Sequence, residues 1–257
     1  MSKIILFSAF HKPYIAPKVK WVVPIHAGKA LSKTDLAIQG DDTGDNISKL
    51  NPIYCELTVA YWIWKNADRT TCDFWGLMHY RRYLLPQTVW TKLGKRKTYH
   101  FSQDQAKLDS VFSRKLRKKI EKDLSKVDII VPLPLRLNKK DRPHKSIEQH
   151  YCEEHLLLHW NILKEVVVEK YPDYKDSLSV FERNTFYTFN MMIASWKIWD
   201  SYLSWMFDIL DKIFERVEVP DEVYQKRFAG FLGERLLNLY IYHNNLRVKS
   251  YLTAEFK

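Results

Sequence analysis

The chain has 257 residues, 46% of them hydrophobic and 14% aromatic, with only 7 Gly and no Ser/Gly-rich or Pro-rich tract to serve as a linker. Its formal charge is +11, and between Thr91 and Lys145 17 Lys/Arg stand against 6 Asp/Glu, so this stretch accounts for the whole excess. Three scattered cysteines (Cys55, Cys72 and Cys152) argue against a zinc site or a disulfide framework, and no apolar run approaches the ~20 residues that span a bilayer. These totals predict one soluble domain over 1–257, cytoplasmic, with a basic insertion at about 91–127.

The opening MSKIILFSAF lacks a small-residue cleavage site and reads as a strand buried on both faces, not a signal peptide. Pro13 stops it and leaves His11 and Lys12 at its C-terminal edge. KWVVPIHAG is a second short strand or an irregular segment. The acidic loop GDDTGDNISKLNP follows, with Asp41, Asp42, Asp45 and Asn46. Three readings of it stand: a hard-cation site, a set of acceptors for sugar hydroxyls, or turn and cap residues. It has neither the length nor the terminal Glu of an EF-hand loop.

NPIYCELTVAYWIWKN is predicted helical, with Asn51 as N-cap, Pro52 in the first position and Glu56 in the first turn. DFWGLMHYRRYLL is predicted to be one strand ending in a basic cluster. Alternation would put His79 and Arg81 on one face and Arg82 on the other. Arginines beside a core need an anionic partner, either an internal carboxylate or a phosphate that the guanidinium meets bidentately. SRKLRKKIEKDLSK has helical spacing; its field suits anionic lipid, nucleic acid or a phosphorylated substrate, or it is a solvated surface face. VDIIVPLPL is another buried strand.

SIEQHYCEEHLLLHWNILKEVVVEKY is predicted to be one long helix, with His155 and His159 four residues apart as either metal ligands or core histidines. FYTFNMMIAS reads as a strand. SWKIWDSYLSWMFDILDKIFERV reads as an amphipathic helix whose stripe of Trp199, Tyr202, Leu203, Met206, Ile209, Leu210 and Ile213 faces a core. FAGFLGERLLNLYIYH closes the chain as a helix, with Glu234 and Arg235 near its start on a turn made by Gly230 and Gly233. A carboxylate so placed is a general-base candidate or the partner of Arg235. Phosphate-loop, dinucleotide and zincin motifs are absent from the sequence. Strands alternating with helices predict an α/β domain with an open sheet. Its ligand lies at strand C-termini, near His11, Lys12 and His79 to Arg82.

Seven segments in order, HKPY, PIHAG, DDTGDNISKLNPIYCELT, WGLMHYRRY, EQHYCEEH, FNMMI and GFLGERLL, make the chain resemble a family of bacterial capsule, exopolysaccharide and O-antigen glycosyltransferases, some of them galactofuranosyltransferases. The resemblance implies a GT-A-like fold with an open, mostly parallel sheet flanked by helices. It also implies a UDP-sugar donor, UDP-galactofuranose among the candidates, and a glycan or lipid-linked glycan acceptor. Glu234 would be the base of an inverting displacement, and Asn190, with His155 and Arg235, would face the acceptor. Where many such enzymes carry Asp-x-Asp for a divalent metal, this chain has His79-Tyr80-Arg81-Arg82. Either His79 and Arg81 supply the positive charge at the donor site, or Asp41, Asp42 or Asp45 holds Mg²⁺ or Mn²⁺. The basic helix would then hold the enzyme on the anionic inner face of the membrane. A nucleic-acid-binding protein fits the sequence less well, because its Trp and Tyr follow core periodicity and do not interleave with Lys/Arg. A non-catalytic membrane scaffold leaves the loop and the HYRR cluster without purpose.

Overall fold

The structure, a computed structural model, describes residues 3–87, 98–137 and 145–257. The part of the basic insertion ahead of Thr98 lies outside the described residues. β1 (Ile4–Phe10) is buried along nearly its whole length, as its unbroken apolar run requires, and β2 (Val22–His26) and β3 (Phe74–His79) flank it in parallel. The crossover between β2 and β3 carries α1 (Asn51–Tyr54) and α2 (Leu57–Asn66). These are two pieces, not the one predicted helix, because Cys55 sits at φ 53°, ψ −131° between them.

The predicted strand DFWGLMHYRRYLL is also broken. The chain turns at Tyr80–Arg81 and returns as β4 (Arg82–Leu85), with His79 opposite Arg82. β5 (Thr98–Phe101), α3 (Gln105–Val111), α4 (Arg114–Leu124) and β6 (Ile129–Pro132) come next. Asp104 and Ser113 accept hydrogen bonds from the first-turn backbones of α3 and α4. β7 (Leu135–Arg136) pairs with β8 (Thr185–Phe186) as a small separate ribbon. α5 (Ile147–Glu154) and α6 (Leu157–Lys170) stand where one helix is predicted, because His155 adopts an extended conformation that ends α5. Only β9 (Met192–Ser195) of the predicted FYTFNMMIAS strand is a strand of the main sheet, since Phe189 and Asn190 both have positive φ.

α7 (Trp196–Arg216) buries every residue of its predicted stripe. α8 (Phe228–His243) does not close the chain; β10 (Val248–Phe256) does, and it reorganises the sheet. Its first half runs parallel to β6, and its second half lies between β4, antiparallel, and β5, parallel. With β9 joined to both β6 and β3, the pairings β3–β4–β10–β6–β9–β3 close a ring of five strands within an eight-stranded sheet. The expected open, mostly parallel sheet is corrected accordingly: among the described residues of this sheet four strand pairs are parallel and four antiparallel. The physical reason is the last strand, which bridges the N-terminal parallel block to β6 and leaves no open edge between them.

Both faces of the sheet are covered. Phe7, Trp75, Leu77, Val131 and Ala194 face a large core with α2, α6, α7 and α8. Leu6, Met78, Ile130, Ile193 and Tyr251 face a second core filled by Leu108 and Phe112 and by Leu116, Ile120 and Leu124 of α4. The alternation of adjacent residues between cores is the two-residue period of the strands. The basic helix is thus anchored by an apolar stripe and keeps Lys115, Lys118 and Lys122 in solvent. No helix of the described residues is long and apolar enough to cross a membrane.

Candidate active site

Parallel β1 and β3 end side by side, and the segments leaving their C-terminal ends open into one cavity of about 650 Å³. His11 comes from the end of β1, and His79, Arg81 and Arg82 come from the β3–β4 turn. The break between α1 and α2 adds Cys55 and Glu56, and the left-handed backbone before β9 adds Phe189. The turn Gln225–Arg227 and the first turns of α8 contribute Lys226, Arg227, Phe231 and Glu234. Three arginines and a lysine therefore outnumber the two lining carboxylates, and the concave site focuses a positive potential.

Its inner wall is a chain of short hydrogen bonds. The Phe189 N–H donates to Glu234 Oε1 at 2.7 Å, and Arg235 Nη1 donates to Glu234 Oε2 at 3.1 Å. The Phe189 carbonyl accepts from His79 Nε2 at 2.7 Å, and the same nitrogen lies 3.9 Å from Glu56 Oε1. Asn190 Nδ2 donates to Glu56 Oε1 at 2.8 Å and to the Gly230 carbonyl at 3.0 Å. Burial pushes the Glu234 carboxyl above its ordinary range, and Arg235 and the Phe189 N–H oppose that shift. Burial likewise lowers His79, against Glu56 and the Phe189 carbonyl, which favours the neutral imidazole, and Nε2 carries its proton toward that carbonyl. Three non-glycine residues of this wall, Cys55, Phe189 and Asn190, have φ of 53°, 74° and 50°. Such strain persists only where the surroundings enforce it, and here both the N–H and the C=O of Phe189 are bound. The Cys55 thiol, pushed up to about 11 by burial and by Glu56, accepts from Arg227 Nε at 3.1 Å.

The two arginines are not on opposite faces as strand alternation predicts, because the chain turns between them. Arg81 Nε and Arg82 Nη2 both reach Glu255 Oε1 of β10, at 3.5 and 3.1 Å. Burial alone would raise Glu255, but Arg82, Lys257 and Arg81 together hold it below the usual carboxylate range. One shared buried carboxylate fixes two guanidinium groups that still line the cavity. His11 packs edge-on to Tyr80 with ring centroids 4.7 Å apart, and Lys12, which is not a lining residue, lies over the same ring.

The acidic loop stands elsewhere. Asp41 is fully buried and accepts four hydrogen bonds: from Gly28 N at 2.9 Å, Lys29 N at 3.1 Å, Ser48 Oγ at 2.5 Å and Thr58 Oγ1 at 2.6 Å. Gly28 is required there, since its φ is 66° and a Cβ would fall 2.6 Å from Asn51. Asp42 is exposed; Asp45, also exposed, accepts from Tyr61; Asn46 ties Gly44 to Ser48. None of the four lines this cavity or its smaller neighbour. Among the described residues no three His, Cys, Asp or Glu side chains gather as a cation would need. The donor set does not fit the Mg²⁺ or Mn²⁺ reading, and Asp41 has no lone pair direction left to offer. Of the expected pair, Arg81 lines the cavity together with Arg82, Lys226 and Arg227, while burial lowers His79 from its ordinary value and so disfavours the charged imidazole.

Behind the first cavity lies the second, of about 310 Å³, and Phe189, Phe231 and Glu234 line both. His155 and Arg235 are here, together with His150. His155 stacks on Phe231 with centroids 4.1 Å apart, and His159 packs on Phe228 from the next helix, so the i, i+4 metal pair does not exist. Asn190 lines neither cavity; it is buried and holds Glu56. Nor is Glu234 on a tight turn, since it occupies the second turn of α8. Sequence reasoning did not find Glu56, Phe189, Lys226 and Arg227 as site residues. The one signal for them was a charged residue, Glu56 or the Lys226-Arg227 pair, set directly against an apolar helical run.

Residues 4–245 match the family described as a domain of unknown function (DUF4422). The chain belongs to that family. A comparison with curated proteins gave no match. Among solved structures the chain is similar to the apo structure of the WbbM bifunctional glycosyltransferase, with a TM-score of 0.87 and 28% identity. That alignment covers 99% of this chain and 45% of the other, so the chain spans less than half of that protein. The likeness to a glycosyltransferase agrees with the resemblance carried by the seven sequence segments.

Proposed function

We propose that this chain is a glycosyltransferase with a GT-A-like core that takes a nucleotide-diphosphate sugar in the larger cavity. The observation that carries the reading is that one cavity, at the ends of parallel β1 and β3, gathers Arg81, Arg82, Lys226 and Arg227 beside the desolvated carboxylate Glu234. The cations are placed for a diphosphate, whose leaving charge they would stabilise without a metal-binding Asp-x-Asp. Glu234 takes the proton of an acceptor hydroxyl as that oxygen bonds to the anomeric carbon. The bond from that carbon to the diphosphate oxygen breaks, and the nucleoside diphosphate leaves with the electron pair. Direct displacement of this kind inverts the anomeric configuration. Support for Glu234 in this role is its place on the wall shared by the two cavities.

The donor expected from the resemblance is a UDP-sugar, with UDP-galactofuranose first to be tried, and the acceptor a lipid-linked glycan of a capsule or O-antigen pathway. The exposed lysines of α4 suit the anionic inner leaflet. The decisive test is thermal shift with UDP and UDP-sugars, with and without Mn²⁺, followed by a donor-hydrolysis screen. UDP stabilisation that does not need Mn²⁺ is expected. No stabilisation by any nucleotide would remove the donor site. Liposome flotation tests the membrane role: equal binding to anionic and neutral vesicles would remove it.

A further inference from the structure

The two cavities share Glu234 and differ in chemistry. The larger has four cations against two carboxylates. In the smaller, the charged groups among the described residues are Glu234 and Arg235, and they are paired with each other at 3.1 Å. Arg235 Nη1 also donates to the Phe231 carbonyl at 3.0 Å and Nη2 meets His150 Nδ1 at 3.1 Å, while Nε has no partner among the described residues. Burial and Arg235 bring His150 down to about 4 and His155 down to about 3, so both rings are uncharged at neutral pH. The rest of the lining is aromatic, hydroxylic and aliphatic, with Phe186, Tyr224 and Phe231, three threonines, and Leu133 and Leu135. A buried polar atom, Nε of Arg235, has no hydrogen-bond partner among the described residues. Native interiors seldom leave such atoms unpaired unless a ligand or water satisfies them.

Resting on the glycosyltransferase reading, we infer that the smaller cavity is the acceptor pocket and that it selects a single uncharged sugar ring, one without a carboxylate or phosphate. A volume of about 310 Å³ holds one ring and little more. Aromatic faces take the C–H side of a sugar, while threonine hydroxyls and neutral histidines exchange hydrogen bonds with its hydroxyls. An anionic ring would meet the Glu234 carboxylate, and Arg235, the one lining cation among the described residues, is already paired with that carboxylate, which is a repulsive element against uronates and phosphosugars. The shared position of Glu234 then places a hydroxyl of the neutral ring at the base and the sugar donor on its far side. The mouth is edged by Leu135 and Tyr224, 41% and 45% exposed, over which the remainder of an acceptor would leave.

Saturation-transfer NMR with methyl glucoside, galactoside, mannoside and glucuronide, each in the presence of UDP, tests the assignment. At least one neutral hexoside is expected to receive saturation and the glucuronide little. Leu135→Trp, a change at an exposed strand residue of this cavity alone, is expected to abolish the neutral signal and to leave the UDP thermal shift as in wild type. Tyr224→Ala removes part of the wall and is expected to weaken the hexoside about three- to tenfold, which keeps the test alive should the tryptophan variant misfold. Glucuronide binding equal to that of the hexosides, a spectrum flat for the whole panel, or a hexoside signal untouched by both variants overturns the inference. A retained UDP shift in those cases leaves the donor reading standing, and hexoside binding without any UDP shift removes the donor reading alone.

Discussion

Asp41 and Glu234 are both carboxylates held inside the protein, and they are opposite in design. Asp41 accepts two backbone N–H groups and two hydroxyls, at distances from 2.5 to 3.1 Å, and faces no cavity. It joins the end of β2 to the 3₁₀ turn at Ser48 and to Thr58 in α2, and so holds the crossover in place. Glu234 has one bond to each oxygen, sits among cations and lines two cavities. A carboxylate whose lone pairs are all used is architecture; one desolvated yet incompletely satisfied has chemistry left in it.

The largest effect that separates them is on turnover. Glu234→Gln keeps the shape and the hydrogen bond from Phe189 but cannot take a proton, so transfer is predicted to fall by about 10²–10⁴-fold, the usual contribution of a general base. UDP should still raise the melting temperature of this variant. Turnover within a factor of a few of wild type would falsify the base assignment, and Glu56 would become the candidate. Asp41→Asn should show the reverse pattern. It turns one of the two oxygens into a donor facing a backbone N–H that loses its partner, costing on the order of 3 kcal/mol of stability in urea unfolding. The folded fraction should bind UDP as wild type does, and an unchanged urea midpoint would contradict the structural role.

Glu234 lies above its ordinary value of 4.5 in the folded protein. Catalysis needs the ionised form, so kcat/KM should climb about tenfold per pH unit on an acidic limb displaced upward from ordinary glutamate, and the limb should vanish in the Gln variant. For stability the sign is opposite: the folded state holds that proton more tightly, so its contribution is present at low pH and lost as pH rises through the raised value. The buried histidines act the other way. His26, His79, His150, His155 and His159 are all lowered from 6.5, first by burial, so the unfolded chain binds protons that the folded chain refuses. Their contribution is intact above 6.5 and fades as pH falls below it. Because they outnumber Glu234, the melting temperature should drop between pH 7.5 and 5.5. A rise over that interval would show that the imidazoles are solvated.

How much of this contrast is legible in the sequence depends on the range of the forces involved. β1, β3, β6, α4 and the stripe of α7 follow from local periodicity, and the structure has each of them. β10 does not, because VKSYLTAEF mixes Lys, Ser and Thr with apolar residues, and its strand state comes from partners more than a hundred residues away, β4, β5 and β6. The breaks at Cys55, His155 and Phe189 were equally hidden, since none is a glycine or proline and each is imposed by packing. Those breaks make the site: the first places Glu56 on the cavity wall, the second divides His155 from His159, and the third sets the Phe189 N–H on Glu234 and its C=O on His79. Hence His79, Arg81, Arg82 and Glu234 could be chosen by residue type and place, while Glu56, Phe189, Lys226 and Arg227 could not. A cluster of three aspartates, by contrast, drew attention in the sequence that its bonding in the structure does not justify.

Asp45 supplies the control, and the smallest expected effect. It is exposed, and its side chain accepts one bond, from Tyr61 at 3.1 Å. Neither saturated like Asp41 nor desolvated like Glu234, it should contribute little to fold or reaction. Asp45→Ala is predicted to change stability by about 0.5 kcal/mol or less, as surface substitutions usually do, and to leave UDP binding and its response to Mn²⁺ unaltered. A metal held by the acidic loop demands the opposite, because one missing carboxylate would weaken the cation and any nucleotide bound through it. Thermal shift of the Ala variant with UDP, plus and minus Mn²⁺, therefore distinguishes a loop that shapes the crossover from one that serves the donor. Loss of a Mn²⁺-dependent UDP shift in this variant would return the aspartates to the site and require a loop arrangement in which Asp45 turns away from Tyr61.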